Sequence, residues 1–302
     1  MTKNLKRVPD RPLDGGSFQL PSPLEELRDE VLKSCKVRLY LKRDDRIHPE
    51  LPGNKWRKLE RNLQAARDLG FQSILTFGGA YSNHIRATAA AGHYFGFSTI
   101  GVIRGEEHLP LNPCLAYAVS RGMTLTYLDR TAYREKDRPE VVEGLRSRFG
   151  DFYVVPEGGS NELGVRGCAE IPGEIEVDFD VICCACGTGA TLAGVAAGLG
   201  GGQRAIGFAA LKGAGFLAGE IEKLQARTFG EKTENWSLNT DFHFGGFARR
   251  TPELDRFIED VERRHGLRLE WVYVAKMFYG VFALIEGGEV GSGQSVVAVI
   301  TG

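Results

Sequence analysis

Apolar positions recur at two spacings along the chain, and their alternation predicts the fold. After Pro21-Ser22-Pro23, Leu24, Leu27, Val31 and Leu32 stand at helical spacing, predicting a helix within LEELRDEVLKSC. Val37–Lys42 alternates like a strand. In KWRKLERNLQAARDLG, Leu59, Leu63 and Ala66 mark one helix face and Gly70 suits its C-terminal cap. Ser73–Phe77 reads as a short buried strand, IRATAAAGHYFG as a small-residue helix and STIGVIRG as a strand. Helices over 112–122, Pro139–Phe149 and 162–174 then separate strands at Thr124–Leu128, Phe152–Val155 and Val181–Ala185. A helix running to Leu199, a strand at Arg204–Ala209, helices over 210–227, 251–265 and 275–287, and a buried strand at Ser295–Ile300 complete the pattern.

Strand–helix–strand alternation over most of the chain implies an α/β protein with parallel twisted sheets and helices on both faces. An eight-unit barrel is the rival, but the lengths are too irregular for it. Glycine loops between strand and helix recur near residues 54, 78, 158 and 187. Open parallel sheets bind ligands beyond the carboxyl ends of their strands, so these four loops are where chemistry is expected.

Composition changes this picture at one point. Among 302 residues, 39 are glycine and only 12 proline, so the chain is an ordered protein with many tight turns. Lys plus Arg is 38 against 39 Asp plus Glu, a net of −1, which gives no basic excess for a nucleic-acid backbone. No apolar run reaches the ~18 residues of a membrane span. The opening MTKNLKRVPDRPLDGG carries no apolar core, so no secretory signal is expected. The cysteines at 35, 114, 168, 183, 184 and 186 do not resemble a disulfide framework, and the expected setting is a reducing cytoplasm. Cys183 and Cys186 form a CxxC pair without a second ligand pair, and the scattered histidines supply none. No metal site is expected, and these thiols read as small buried hydrophobes.

Three constellations remain. Cys186-Gly187-Thr188-Gly189-Ala190-Thr191 follows an apolar strand and opens a small-residue helix. Unpaired N–H groups and the positive end of the helix dipole suit a phosphate there, although a tight turn without ligand has the same pattern. It matches neither a P-loop nor a dinucleotide fingerprint. Gly53-Asn54-Lys55-Trp56-Arg57-Lys58 places Lys55 at a helix start, where the dipole favours the neutral amine that imine formation needs. The same residues also read as a surface turn with a basic Arg57/Lys58/Arg61 face. In Gly78-Gly79-Ala80-Tyr81-Ser82-Asn83-His84, Ser82 either presents its hydroxyl over a sheet edge or serves as a helix N-cap.

Together these loops resemble the pyridoxal-phosphate enzymes of the tryptophan synthase β-like fold (fold type II). Within it, the chain is similar to the 1-aminocyclopropane-1-carboxylate deaminase / D-cysteine desulfhydrase family. The runs that carry the resemblance are KRDD…LPGNKWRKLE (42–60), GGAYSNH (78–84), PEGGSN (156–161), CGTGATLAG (186–194) and VYVAK (272–276). The resemblance implies pyridoxal 5'-phosphate as cofactor, held as a Schiff base on Lys55. Lys58 matches a lysine near the phosphate, Ser82 a serine at the substrate carboxylate or in proton transfer, and Asn83 the partner of the ring hydroxyl. Gly187, Thr188, Gly189, Ala190 and Thr191 match the phosphate cradle, and Tyr273 a tyrosine facing the substrate.

Two positions depart from the deaminase pattern. Val274 stands where deaminases carry a glutamate at the pyridine nitrogen, and Phe247 where they carry a second tyrosine. Thr301, at the end of the last strand, is the candidate hydroxyl for that nitrogen. The expected reaction is β-elimination on D-cysteine or a similar small D-amino acid, giving keto acid and ammonia. Ring-opening deamination, racemisation or β-replacement are alternatives on the same cofactor, and a catalytically silent relative is a third reading. The resemblance further implies a homodimer and two domains: 1–49 with 161–302, and 50–160 carrying Lys55, with the cofactor in the cleft between them.

Overall fold

The computed structural model describes residues 17–51 and 53–301; the expectations for the opening segment and for Pro52 lie outside the described residues. In chain order the elements are β1 (Leu24–Leu27), α1 (Glu30–Cys35), β2 (Arg38–Lys42), α2 (Asn54–Asp68), β3 (Ser73–Gly78), α3 (Asn83–Phe95) and β4 (Ser98–Arg104). Then come α4 (Pro113–Ser120), β5 (Met123–Leu128), α5 (Arg130–Arg134), α6 (Pro139–Phe149), β6 (Tyr153–Val155), α7 (Glu162–Cys168) and β7 (Val181–Cys186). The chain continues through α8 (Ala190–Ala197), β8 (Arg204–Ala209), α9 (Leu217–Phe229), β9 (Trp236–Asn239), α10 (Pro252–His265), α11 (Val274–Glu286) and β10 (Ser295–Val299). They form two compact units that divide between Asn54 and Lys55 and again between Asn161 and Glu162.

The unit holding Lys55–Asn161 is built on a four-stranded parallel sheet ordered β5-β4-β3-β6. One apolar cluster joins Leu75, Phe77, Ile100 and Val102 to Tyr133 and Leu145 of α5 and α6. A second joins Ile103 and Met123 to Ile85 and Ala89 of α3 and Leu115 of α4.

The other unit carries six strands ordered β1-β2-β10-β7-β8-β9, all parallel except the edge strand β1. The central strand β7 explains why its sequence is apolar throughout. Val181 and Cys183 enter one core with α10 and α11, while Ile182, Cys184 and Cys186 enter the opposite core with α8 and α9. A strand covered on both faces has no polar side. Cys183 and Cys186 therefore project to opposite faces of the sheet, which is incompatible with one shared metal ion. Burial pushes the Cys183 thiol up to about 12.

Several boundaries differ from the sequence reading. LEEL is the edge strand β1, not a helix start: Leu24 and Leu27, three apart, pack into opposite cores. Helical spacing and an odd step across a strand are the same number here. The helix expected over 162–174 ends at Cys168, followed by a tight turn at Pro172–Glu174. The helix expected over 210–227 begins only at Leu217, because Gly213 takes a left-handed turn before it. Helix α5 and edge strand β9 carry too few periodic apolar residues to be seen in advance.

Candidate active site

In the first unit, α2 begins at the glycine turn and carries no acidic residue in its first turn. Lys55 is half-buried, whereas Arg57 and Lys58 are buried. Of the alternative Arg57/Lys58/Arg61 surface face, Arg57 and Lys58 are thus buried and Arg61 is half-buried. One turn on, the Asn62 amide donates to the Lys58 carbonyl at 2.7 Å and pairs with the Asn161 side chain at 2.7 and 3.1 Å. The PEGGSN loop thus closes over α2. A Cβ on Gly159, whose φ is +67°, would stand 2.9 Å from the Lys58 Cβ.

Ser82 is the N-cap of α3, its Oγ accepting from the Ile85 amide at 3.3 Å. Both readings of Ser82 are compatible with this, since an accepting cap leaves the hydroxyl proton available. Gly78 makes the room: a Cβ there would lie 2.8 Å from Ser82 Oγ. Asn83 is half-buried in the first helical position. His84 behind it is buried, with Nε2 3.0 Å from Thr76 Oγ1 and Nδ1 without a partner among the described residues. Burial, then the charges of Lys55 and Lys58, hold its pKa well below the usual histidine range.

In the second unit, the loop from β7 to α8 passes through Gly187, Thr188 and Gly189. Gly189 is the left-handed N-cap of α8 at φ +84°, and Ala190 and Thr191 open the helix. No acidic residue stands in that first turn. Asn54, the chain neighbour of Lys55, donates its side-chain amide to Thr191 Oγ1 at 2.8 Å. Tyr273 packs on the loop closely enough that a Cβ on Gly187 would meet its ring at 3.0 Å. Glu270 holds Tyr273 in place by accepting from the amides of Val272 and Tyr273 at 2.7 and 2.8 Å. The Phe247 ring lies 5.8 Å from that of Tyr273 in an edge-on arrangement. Val274 points away into the apolar core. Thr301 is buried just beyond the carboxyl end of β10, the neighbour of β7 in the sheet.

The pattern across both units is a set of strand-end loops with glycines where side chains would collide, lysines on one helix start and an acid-free helix start at another. The profile of the family described as pyridoxal-phosphate dependent enzymes matches residues 17–302. The chain belongs to that family.

A Pyrococcus horikoshii protein provisionally named a 1-aminocyclopropane-1-carboxylate deaminase is 33% identical, over 93% of this chain and 89% of its own. The bifunctional D-cysteine desulfhydrase/1-aminocyclopropane-1-carboxylate deaminase of Arabidopsis thaliana, a mitochondrial protein, is 29% identical over 97% of this chain and 79% of its own. Among solved structures, an ACC deaminase homologue superposes with a TM-score of 0.82 at 29% identity, over 94% of this chain and 90% of the other. The fold is therefore the fold type II architecture of pyridoxal-phosphate enzymes, and the cofactor is pyridoxal 5'-phosphate. The residues fit that group: the acid-free start of α8, entered through Gly187 and the left-handed Gly189, suits a phosphate. Among the described residues, no helix is long and apolar enough to cross a membrane.

Sequence reasoning missed Asn54, His84, Glu270 and Lys276. Asn54 and His84 lie inside quoted motifs, and only their partners, Thr191 and Thr76, give them roles. Glu270 offered a weak signal as an acid three residues before a helix-capping tyrosine.

Proposed function

We propose that this enzyme carries out β-elimination on a small D-amino acid, with D-cysteine the preferred substrate. The products are keto acid, ammonia and the β-substituent, which for D-cysteine and one water are pyruvate, ammonia and hydrogen sulfide. Pyridoxal phosphate, when bound, supplies the electron sink that stabilises negative charge at the substrate's α-carbon. Lys55 would hold the cofactor through Nζ, and the same amine is the base we assign to the substrate's α-proton. Gly187 to Thr191, with Lys58, would hold the phosphate, and Asn83 would bond the ring hydroxyl. Ser82 donates its hydroxyl proton to the substrate carboxylate. Its oxygen already accepts from an amide, and the start of α3 favours an anion. Tyr273 faces the substrate, and Thr301 offers its hydroxyl to the pyridine nitrogen. A homodimer in a reducing, cytoplasmic setting completes the reading, supported by the resemblance and by six free cysteines.

The observation that carries the choice of elimination is what stands beside Tyr273. Val274 is in the core, 1% exposed, and Glu270 is committed to two backbone amides. Neither can keep the pyridine nitrogen protonated, so the deeper electron sink that ring opening demands is missing. Elimination of a good leaving group asks less. The test is a panel of amino acids in both enantiomers and 1-aminocyclopropane-1-carboxylate, assayed for ammonia and keto acid. Keto acid and sulfide from D-cysteine are expected, with the cyclopropane substrate far slower. Efficient turnover of the cyclopropane substrate would overturn the choice. Lys55→Ala is expected to be purified colourless.

A further inference from the structure

Lys276 closes the VYVAK run, and neither the family roles nor the reading above use it. It is 1% exposed, and its Nζ donates to the carbonyls of His243 and Gly246 at 2.9 and 2.7 Å. Those carbonyls belong to the connection between β9 and α10, which packs along α11 through Phe242 and Phe244 against Tyr279. Its backbone is left-handed at Phe244 (φ +49°), Gly245 (φ +90°), Gly246 (φ +112°) and Ala248 (φ +50°). Two of these are not glycine, so the surroundings must hold the conformation. The far end of the exposed half is held by Arg250, which pairs with Asp255 and lies over the Trp271 ring at 5.4 Å. Phe244 packs edge-on against Tyr279 at 4.9 Å, but Phe247, Ala248, Arg249 and Arg250 are exposed. Gly246 donates to the His243 carbonyl at 3.0 Å, and Lys276 ties both ends of that same turn.

Lys276 sits one helical turn after Tyr273, the N-cap of α11. A short rigid path therefore runs from Tyr273 through the first turn of α11 to Lys276, then across to Gly246 and the adjoining Phe247. We propose that Lys276 is a positioning residue: it clasps the 243–248 loop to α11, fixes Phe247 against Tyr273, and so sets which substrate side chains the enzyme accepts. This inference rests on the substrate-facing role proposed above for Tyr273. Phe247 then acts as a wall and Lys276 as its anchor.

The test uses the holoenzyme in four forms: wild type, Lys276→Met, Phe247→Ala and the double variant. Lys276→Met keeps length and apolar bulk but removes every donor. Its KM for D-cysteine should rise about tenfold, near 1.4 kcal/mol of lost binding, with kcat changing less. Because Lys276 acts through Phe247, the double variant should match Phe247→Ala alone. Multiplying effects would overturn the proposal. Lys276→Gln, which retains two N–H donors, should fall between wild type and Lys276→Met, and it replaces the latter if that variant does not fold. Amide exchange over 243–249 is read in the same proteins and needs no turnover. Faster exchange confined to this loop in the Lys276 variants supports the clasp, and unchanged exchange overturns it. If wild type turned over no amino acid, the reaction assignment would fail while exchange still reported on Lys276.

Discussion

The His84 ring nitrogen Nε2 lies 3.0 Å from Thr76 Oγ1, and that contact fixes the tautomer of His84. Thr76 gives its own proton to the Val155 carbonyl at 2.8 Å, so its oxygen can only accept. His84 therefore carries its proton on Nε2, and Nδ1 presents a bare lone pair in a buried setting. Thr76→Val removes the acceptor and strands a buried N–H, so it should lower unfolding free energy by about 1–3 kcal/mol in urea titrations.

The same residue predicts acid sensitivity. Its folded pKa lies below the unfolded value, chiefly through burial. Below the unfolded value near ~6.5 the unfolded chain therefore binds more protons. Stability should fall as pH drops below that point, by at most about 1.4 kcal/mol per unit, until the folded pKa is reached. His84→Met should flatten this limb; equal slopes in wild type and variant between pH 7 and 5 would rule out His84 as the cause.

Lys276 has a consequence of the same sign on the alkaline side. Burial pulls its ammonium down to about 8, against the raising influence of the Glu270 carboxylate. Between that value and the unfolded pKa the folded chain binds fewer protons, so stability should rise with pH there. Thermal midpoints of wild type should gain on those of Lys276→Met over this window.

A methyl group at Gly187 would stand 3.0 Å from the Tyr273 ring. Gly187→Ala should displace that ring and cost at least about tenfold in kcat/KM, roughly 1.4 kcal/mol of transition-state binding. The thermal midpoint should change little, because Tyr273 is only half-buried.

Gly194 gives the contrasting case. A Cβ there would come 2.3 Å from the Val165 carbonyl oxygen of α7, where neither backbone can yield. Gly194→Ala should destabilise by about 1–3 kcal/mol through overpacking, seen as a lower urea midpoint. Thr191→Val instead breaks the 2.8 Å bond to Asn54. It should weaken cofactor binding about tenfold in an absorbance titration, the ~1.4 kcal/mol expected for one hydrogen bond.

Much of this was legible in the sequence because strands buried on both faces announce themselves. The VICCAC run admits one interpretation once both cores are counted, and the glycines of CGTGATLAG mark a crowded turn. What stayed hidden depends on partners far along the chain. Leu24 and Leu27 mimic a helix because an edge strand shows only two apolar residues. Asn54 and Thr191 are separated by 137 positions, and Lys276 bonds main-chain carbonyls, which have no sequence signature. The basic run at 55–58 looked like a surface because burial of Arg57 and Lys58 depends on packing around α2.

The sealed thiols of β7 and α7 have a practical consequence. Cys168, Cys183, Cys184 and Cys186 are buried, leaving Cys35 and Cys114 as the half-exposed pair. Cys114 Sγ lies 3.5 Å from the Ser82 carbonyl oxygen. An alkylating reagent thus meets one such thiol on each unit, and the labelling rate of Cys114, compared with and without substrate and with Cys35 as the internal standard, makes the native chain its own reporter of motion in the serine loop.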